Sequence, residues 1–77
     1  MTTHISDKTG PAFGEWLITQ AHRHDPVGHL ATEVAAIGPQ VRTWDLSRLR
    51  RDLDDHRAAP EAYDALDRAA QEYMFLA

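Results

Sequence analysis

The sequence predicts an all-α protein, a compact four-helix bundle, and three observations predict it. Apolar residues recur at helical spacing in four separate stretches. A proline stands at the opening of three of them (Pro11, Pro26 and Pro60), where its missing N–H is not needed and its fixed φ suits a first turn. No segment shows the period-two alternation of a half-buried strand. At 77 residues and without cysteine, the chain allows one domain and one small core. Neither a disulfide nor a thiolate zinc site can staple it, so apolar packing or a partner must hold it.

Residues 1–10 are polar apart from Met1 and Ile5, and Gly10-Pro11 closes them. They read as a flexible arm ahead of a helical domain over 11–77. The first helix is expected over about 11–23, capped by Thr9 or Gly10. Phe13, Trp16, Leu17, Gln20 and Ala21 share its buried face, and Gln20 sits at the core edge. Ile18 falls off that stripe. The second helix is the clearest. Asp25 can accept from the free N–H groups of the first turn, and Pro26 pre-sets φ. Val27, Leu30, Ala31, Val34 and Ala35 form one apolar face, and Ile37-Gly38-Pro39 ends the helix, with Gly38 in a left-handed conformation. Gly28 costs about 1 kcal/mol relative to Ala inside a helix. Its presence there predicts a close neighbour, with Trp16 as the candidate.

Residues 39–42 form a short loop. A third helix starts near Trp44 or Asp45, places Leu46, Leu49 and Leu53 on one side, and frays at His56-Arg57-Ala58. Pro60 opens a fourth helix that continues to the end of the sequence. Its apolar side holds Ala62, Leu66, Ala69, Tyr73 and Leu76, flanked by Ala65 and Ala70. The expected core is Phe13, Trp16, Leu17, Leu30, Ala31, Val34, Leu49, Leu53, Leu66, Ala69 and Tyr73.

Three groups of residues carry a resemblance: Phe13-x-x-Trp16-Leu17, Asp25-Pro26-Val27-Gly28-His29-Leu30-Ala31-x-Glu33-Val34, and Ala65-x-x-x-Ala69-x-x-x-Tyr73. Over about residues 12–74 the chain resembles the YozE SAM-like family of small bacterial proteins, most specifically at 25–31. The resemblance implies a SAM-like orthogonal packing of the four helices and a bacterial source. It implies little about activity, because a fold does not carry a function.

Composition narrows the function classes. The net charge of -4 disfavours a protein whose main task is to coat phosphate backbones. No stretch approaches the roughly 20 apolar residues of a membrane span, and Met1-Thr2-Thr3-His4-Ile5-Ser6-Asp7-Lys8 has no apolar signal core. A cytoplasmic protein with no membrane association is expected. Charge is uneven: Arg42, Arg48, Arg50 and Arg51 face only Asp45 across residues 42–51. Seven acids (Asp52, Asp54, Asp55, Glu61, Asp64, Asp67 and Glu72) outnumber Arg57 and Arg68 across 52–77.

The residues that might carry chemistry each have a plainer duty. His22, His24 and His29, with Asp25, have the donor types of a zinc site, but Asp25 serves better as a helix cap and the spacing fits exposed histidines at helix ends. No metal and no cofactor are expected. The four arginines offer a phosphate-facing patch. Arg48, Arg50 and Arg51 each have an acid four residues on (Asp52, Asp54 and Asp55), which favours a solvated, salt-bridged face. Asp54 and Asp55 sit in a run of charges without the burial that shifts a catalytic pKa. There is no cysteine nucleophile and no glycine-rich phosphate loop, and Ser6 and Ser47 lack a strained turn, so no catalytic residue is assigned. Apolar residues off the buried faces mark a candidate partner surface: Ile18, Trp44 and Phe75. Trp44 is expected to be partly buried against the fourth helix, and Phe75 falls on the polar side of that helix.

The expected function is a non-enzymatic interaction module that binds another protein or itself, through the acidic fourth helix with Phe75 or through the region of helices two and three. The alternatives are a small DNA-associated regulator using Arg42, Arg48, Arg50 and Arg51, and a phage or mobile-element accessory protein that binds a host protein.

Overall fold

A computed structural model describes residues 12–76. The arm expected over 1–10 and its capping residues, Thr9 and Gly10, lie outside them. Four α-helices are present among the described residues: α1 (Phe13–Ile18), α2 (Pro26–Ala35), α3 (Leu46–Asp55) and α4 (Pro60–Leu76). A 3-10 helix (Pro39–Thr43) joins α2 to α3. The all-α four-helix architecture read from the sequence is the one observed, with no strand among the described residues.

α2 and α3 begin as their sequences dictate. The Asp25 carboxylate accepts from the Gly28 N–H at 2.9 Å, and Pro26 occupies the first turn. Asp45 does the same for the Arg48 N–H, also at 2.9 Å. Each bond satisfies one of the free donors that every helix start leaves open. α3 ends in a Schellman turn rather than by fraying. The Ala58 N–H donates to the Leu53 carbonyl (3.0 Å) and the Arg57 N–H to that of Asp54 (3.1 Å). Arg57 takes the left-handed position with φ 51, which glycine usually fills.

α1 is shorter than its apolar stripe. It stops at Ile18, because Thr19 folds its hydroxyl back onto the Trp16 carbonyl at 2.5 Å. The Thr19, Gln20 and Ala21 N–H groups then bond three residues back, to Trp16, Leu17 and Ile18, which tightens the chain into turns. Ala12 at the N-cap makes no side-chain bond. The cap comes from elsewhere: the Gly14 N–H donates to the Trp44 carbonyl at 2.8 Å. α1 thus lies directly on the 3-10 helix, and Gly14 permits it. A Cβ there would collide with the Val41 carbonyl oxygen and lie 2.8 Å from that of Trp44.

The other glycine in a helix works the same way, with a different neighbour from the one expected. A Cβ on Gly28 would strike the Arg23 carbonyl, so it is the turn before α2, not Trp16, that comes close. α2 closes at Ala36, and Gly38 follows with φ 140 and ψ 174, an extended region open to glycine rather than the left-handed helical one. Residues 39–42, read as a loop, begin the 3-10 helix, and this helix delivers Val41 to the core fully buried.

Nine of the eleven expected core residues are buried, and Trp16 and Tyr73 pack against them half-buried. Val27, Val41 and Ala65 complete the core. Ala35, placed on the α2 apolar face by its spacing, is exposed. Phe13, Trp16 and Tyr73 form an aromatic cluster between α1 and α4, with Phe13 edge-on to Tyr73 at a centroid distance of 5.3 Å and Trp16 at 5.5 Å from Tyr73.

Two substitutions test these contacts in opposite directions. Gly14→Ala should lower unfolding stability by about 2–3 kcal/mol, because two backbone carbonyls have to move. Arg57→Gly should raise it by about 0.5–1 kcal/mol by relieving the left-handed position. Urea unfolding followed by far-UV circular dichroism measures both, and an unchanged midpoint for Gly14→Ala would contradict the close approach.

Candidate functional site

Arg23 sits where the turn after α1, the start of α2 and the last third of α4 meet. Its guanidinium holds the Asp25 carboxylate at 2.6 Å and the Glu72 carboxylate at 2.6 Å, and donates to the Gln20 side-chain oxygen at 3.2 Å. Arg68 adds a longer contact to Glu72, 3.9 Å. The Gly28 N–H, and then Arg23, hold the Asp25 carboxyl below the usual carboxylate range. Hydrogen bonds from Arg23 lower Glu72 in the same way, and the two carboxylates together raise Arg23. These shifts belong to a clamp that fixes three elements.

The four arginines of the expected nucleic-acid patch do not act together. Arg50 crosses to α4 and pairs with Asp67 at 2.7 Å. Arg48 lies over the Trp44 ring, 4.4 Å from its centroid, a cation–π contact. Arg42 and Arg51 are exposed and form no ion pair among the described residues. The pairs expected four residues apart, Arg48 with Asp52, Arg50 with Asp54 and Arg51 with Asp55, are absent; Arg50 and Asp54 find partners on α4 instead, and Arg48 and Asp52 meet Trp44 and His56. Asp54 accepts from the Tyr63 hydroxyl at 2.5 Å, which raises the Tyr63 pKa. Asp52 faces His56 at 3.5 Å, and the His56 imidazole also donates to the Asp52 carbonyl at 2.8 Å. That backbone bond, then the Asp52 charge, raises the His56 pKa.

The histidines near the junction of α1 and α2 do not converge either. His22 bonds the Thr19 carbonyl at 2.9 Å, and His29 faces Glu33 at 3.1 Å on the exposed side of α2. Among the described residues no three metal-ligating side chains are placed to share an ion.

Of the candidate partner residues, two are engaged. Ile18 is half-buried and packs against the core. This corrects its reading as an exposed contact. Trp44 is half-buried as expected, but its ring meets Arg48 and its carbonyl meets α1. Phe75 is 90% exposed, and its neighbours Met74 and Leu76 are 73% and 67% exposed. Leu76 was expected on the buried side of α4. Successive helix residues point 100° apart, so three exposed in a row leave most of the last turn of α4 open to solvent, with Tyr73 as its contact to the core.

A second surface overlaps the region of helices two and three that the sequence offered as an alternative contact. α2, the end of α3 and the start of α4 enclose a groove of about 1100 Å³. Leu30, Val34, Leu53 and Ala65 floor it, and Ile37, Ala58 and Ala62 line its open side. Glu33, Asp52 and Glu61 stand around it. Its only sequence signals were the small residues at the α3–α4 junction and the mixed charge there. A smaller hollow near the other end lies between Phe13, Leu46, Tyr73 and Met74. No described helix is long and apolar enough to cross a membrane. Set against family models, curated proteins and solved structures, the chain matches none.

The clamp sets a pH dependence of stability. Asp25 and Glu72 have depressed folded pKa values, so their contribution is present above the unfolded carboxylate range, about 4, and is lost as pH falls through the folded values. His56 has the opposite sign: its contribution is present below the unfolded value and is lost as pH rises through the raised one. Thermal melts from acid to neutral pH should show a steep acid limb that Arg23→Met flattens while lowering the melting temperature at neutral pH. A parallel displacement of the whole curve would count against the clamp.

Proposed function

We propose that this domain is a non-enzymatic interaction module that binds another protein chain, a second copy included, through the projecting end of α4. The observation that carries the reading is the run of Met74, Phe75 and Leu76, with Phe75 at 90% exposure, on a helix whose other apolar residues are buried or half-buried. Burying a large apolar side chain contributes about 1.5–3 kcal/mol, and a contiguous exposed cluster is the usual mark of a contact surface. The displaced titratable groups support a binding role over a catalytic one, since each answers to a structural partner: Arg23 to Asp25 and Glu72, His56 to Asp52, and Tyr63 to Asp54.

Membership in the YozE SAM-like family belongs to this proposal. The capped Asp25-Pro26 start and the close approach at Gly28 give its most specific segment a structural rationale. Cytoplasmic location, a bacterial source and a host-directed role for a mobile element agree with this reading, which does not depend on them.

Sedimentation velocity from micromolar to millimolar protein should show a mass that rises with concentration, or a stoichiometric complex with a protein captured from the native host. Phe75→Ser should abolish either one without altering the thermal melt. A monomer at every concentration, together with capture that Phe75→Ser leaves intact, would remove the α4 surface from consideration.

A further inference from the structure

We propose that the groove between α2 and the α3–α4 junction is a docking site for a basic amphipathic helix of a partner protein, seated with its apolar face inward and its Lys and Arg side chains against the rim. The inference rests on the reading of the domain as a protein-binding module and names the partner chemistry of a second surface on it.

Shape and composition come first. At about 1100 Å³ the space lies above the ~300–1,000 Å³ of ordinary small-ligand pockets and opens to solvent. Its floor is apolar and its open side is built from Ile37, at 38% exposure, and alanines. Alanines leave room that larger side chains of a partner can fill. The described residues offer no strand edge for an extended peptide to extend, so a helix laid in the groove is the fitting mode.

Charge selects the occupant. Arg23 and Asp25 stand at the groove but are committed to each other at 2.6 Å. That leaves Glu61, with Glu33 facing His29 at 3.1 Å and Asp52 facing His56 at 3.5 Å, as the acids of the rim, and no other Lys or Arg around the groove. A second copy fits poorly. The apolar run at residues 74–76 belongs to α4, which carries Glu61, Asp64, Asp67 and Glu72 against Arg68 alone. Docking it would set acid against acid. A helix with Lys or Arg beside its apolar stripe complements the rim.

The test uses the full chain and a fluorescein-labelled amphipathic peptide of leucine and lysine, with a second peptide carrying glutamate for every lysine, read by fluorescence anisotropy. The lysine peptide should bind and the glutamate peptide should not. Glu33→Lys with Glu61→Lys should weaken binding by about tenfold or more. Ile37→Ser, which removes apolar contact without changing charge, should weaken it about fivefold. Asp64→Lys, on α4 but not lining the groove, should change it less than about twofold, and Phe75→Ser should leave it unchanged. Each of these positions is exposed, and unchanged thermal melts confirm folding. Equal losses from Asp64→Lys, or no loss from Ile37→Ser, would mean diffuse attraction to acid and overturn the proposal. Loss only on Phe75→Ser would overturn the groove while supporting the α4 surface. Self-association abolished by the Glu33 and Glu61 reversals would make a second copy the occupant instead.

Discussion

Arg23 anchors the fold twice, with different atoms. Its guanidinium joins the Asp25 carboxylate that caps α2 to the Glu72 carboxylate on α4. Its carbonyl presses against the first turn of α2 so closely that only glycine fits at position 28. The side chain fixes the distance from the α1–α2 turn to α4, and the main chain fixes the entry angle of α2. Surface ion pairs taken singly contribute little, typically 0–1 kcal/mol. Here one guanidinium is shared by two carboxylates, and one of those is already held by a backbone N–H, so ordering one group orders the rest. The core then has little freedom in how α2 meets α4.

A second constraint comes from the main chain at the other side of α1. Gly14 brings α1 against the 3-10 helix, and the carbonyl of Trp44 serves as its cap. Together the two glycine contacts place α1 between the 3-10 helix and the turn leading into α2. The Phe13, Trp16 and Tyr73 cluster then fastens α1 to α4. Both candidate surfaces follow from this arrangement. α2 and the α3–α4 junction stand apart at the groove, while α4 leaves Met74, Phe75 and Leu76 exposed at its end.

Much of this was legible in the sequence where the cause is local. Asp25-Pro26 and Asp45 mark helix starts because a cap needs only its own next three residues. Leu49, Leu53, Leu66 and Ala69 announce their burial by spacing. What the sequence hid depends on partners distant along the chain. Val41 lies in a segment with no periodicity to reveal its burial, and Gly28 signalled a close neighbour without saying that it was the Arg23 carbonyl. Ile18 looked exposed on a helix continued to residue 23, but the helix ends at Ile18 itself. The acids four residues after Arg48, Arg50 and Arg51 looked like their partners until α4 supplied Asp67 and Tyr63 and Trp44 supplied a ring. Phe75 was placed correctly because a helical wheel answers a local question. The region of helices two and three was named as a contact surface, but its groove shape was hidden, since it is the space between three elements and not a property of any one.

The brevity of α1 bears on how the molecule assembles. Six residues are far fewer than the ~12–15 an isolated helix needs to persist in water, since nucleation fixes several residues for the first bond gained. Its cap, moreover, is a carbonyl thirty positions away, on Trp44. α1 therefore cannot act as an early nucleus. α3 and α4, adjacent in sequence and joined by a compact Schellman turn, are the pair that can form on local contacts alone. The order of α1 therefore depends on the 3-10 helix that supplies its cap, and α1 cannot form ahead of that contact.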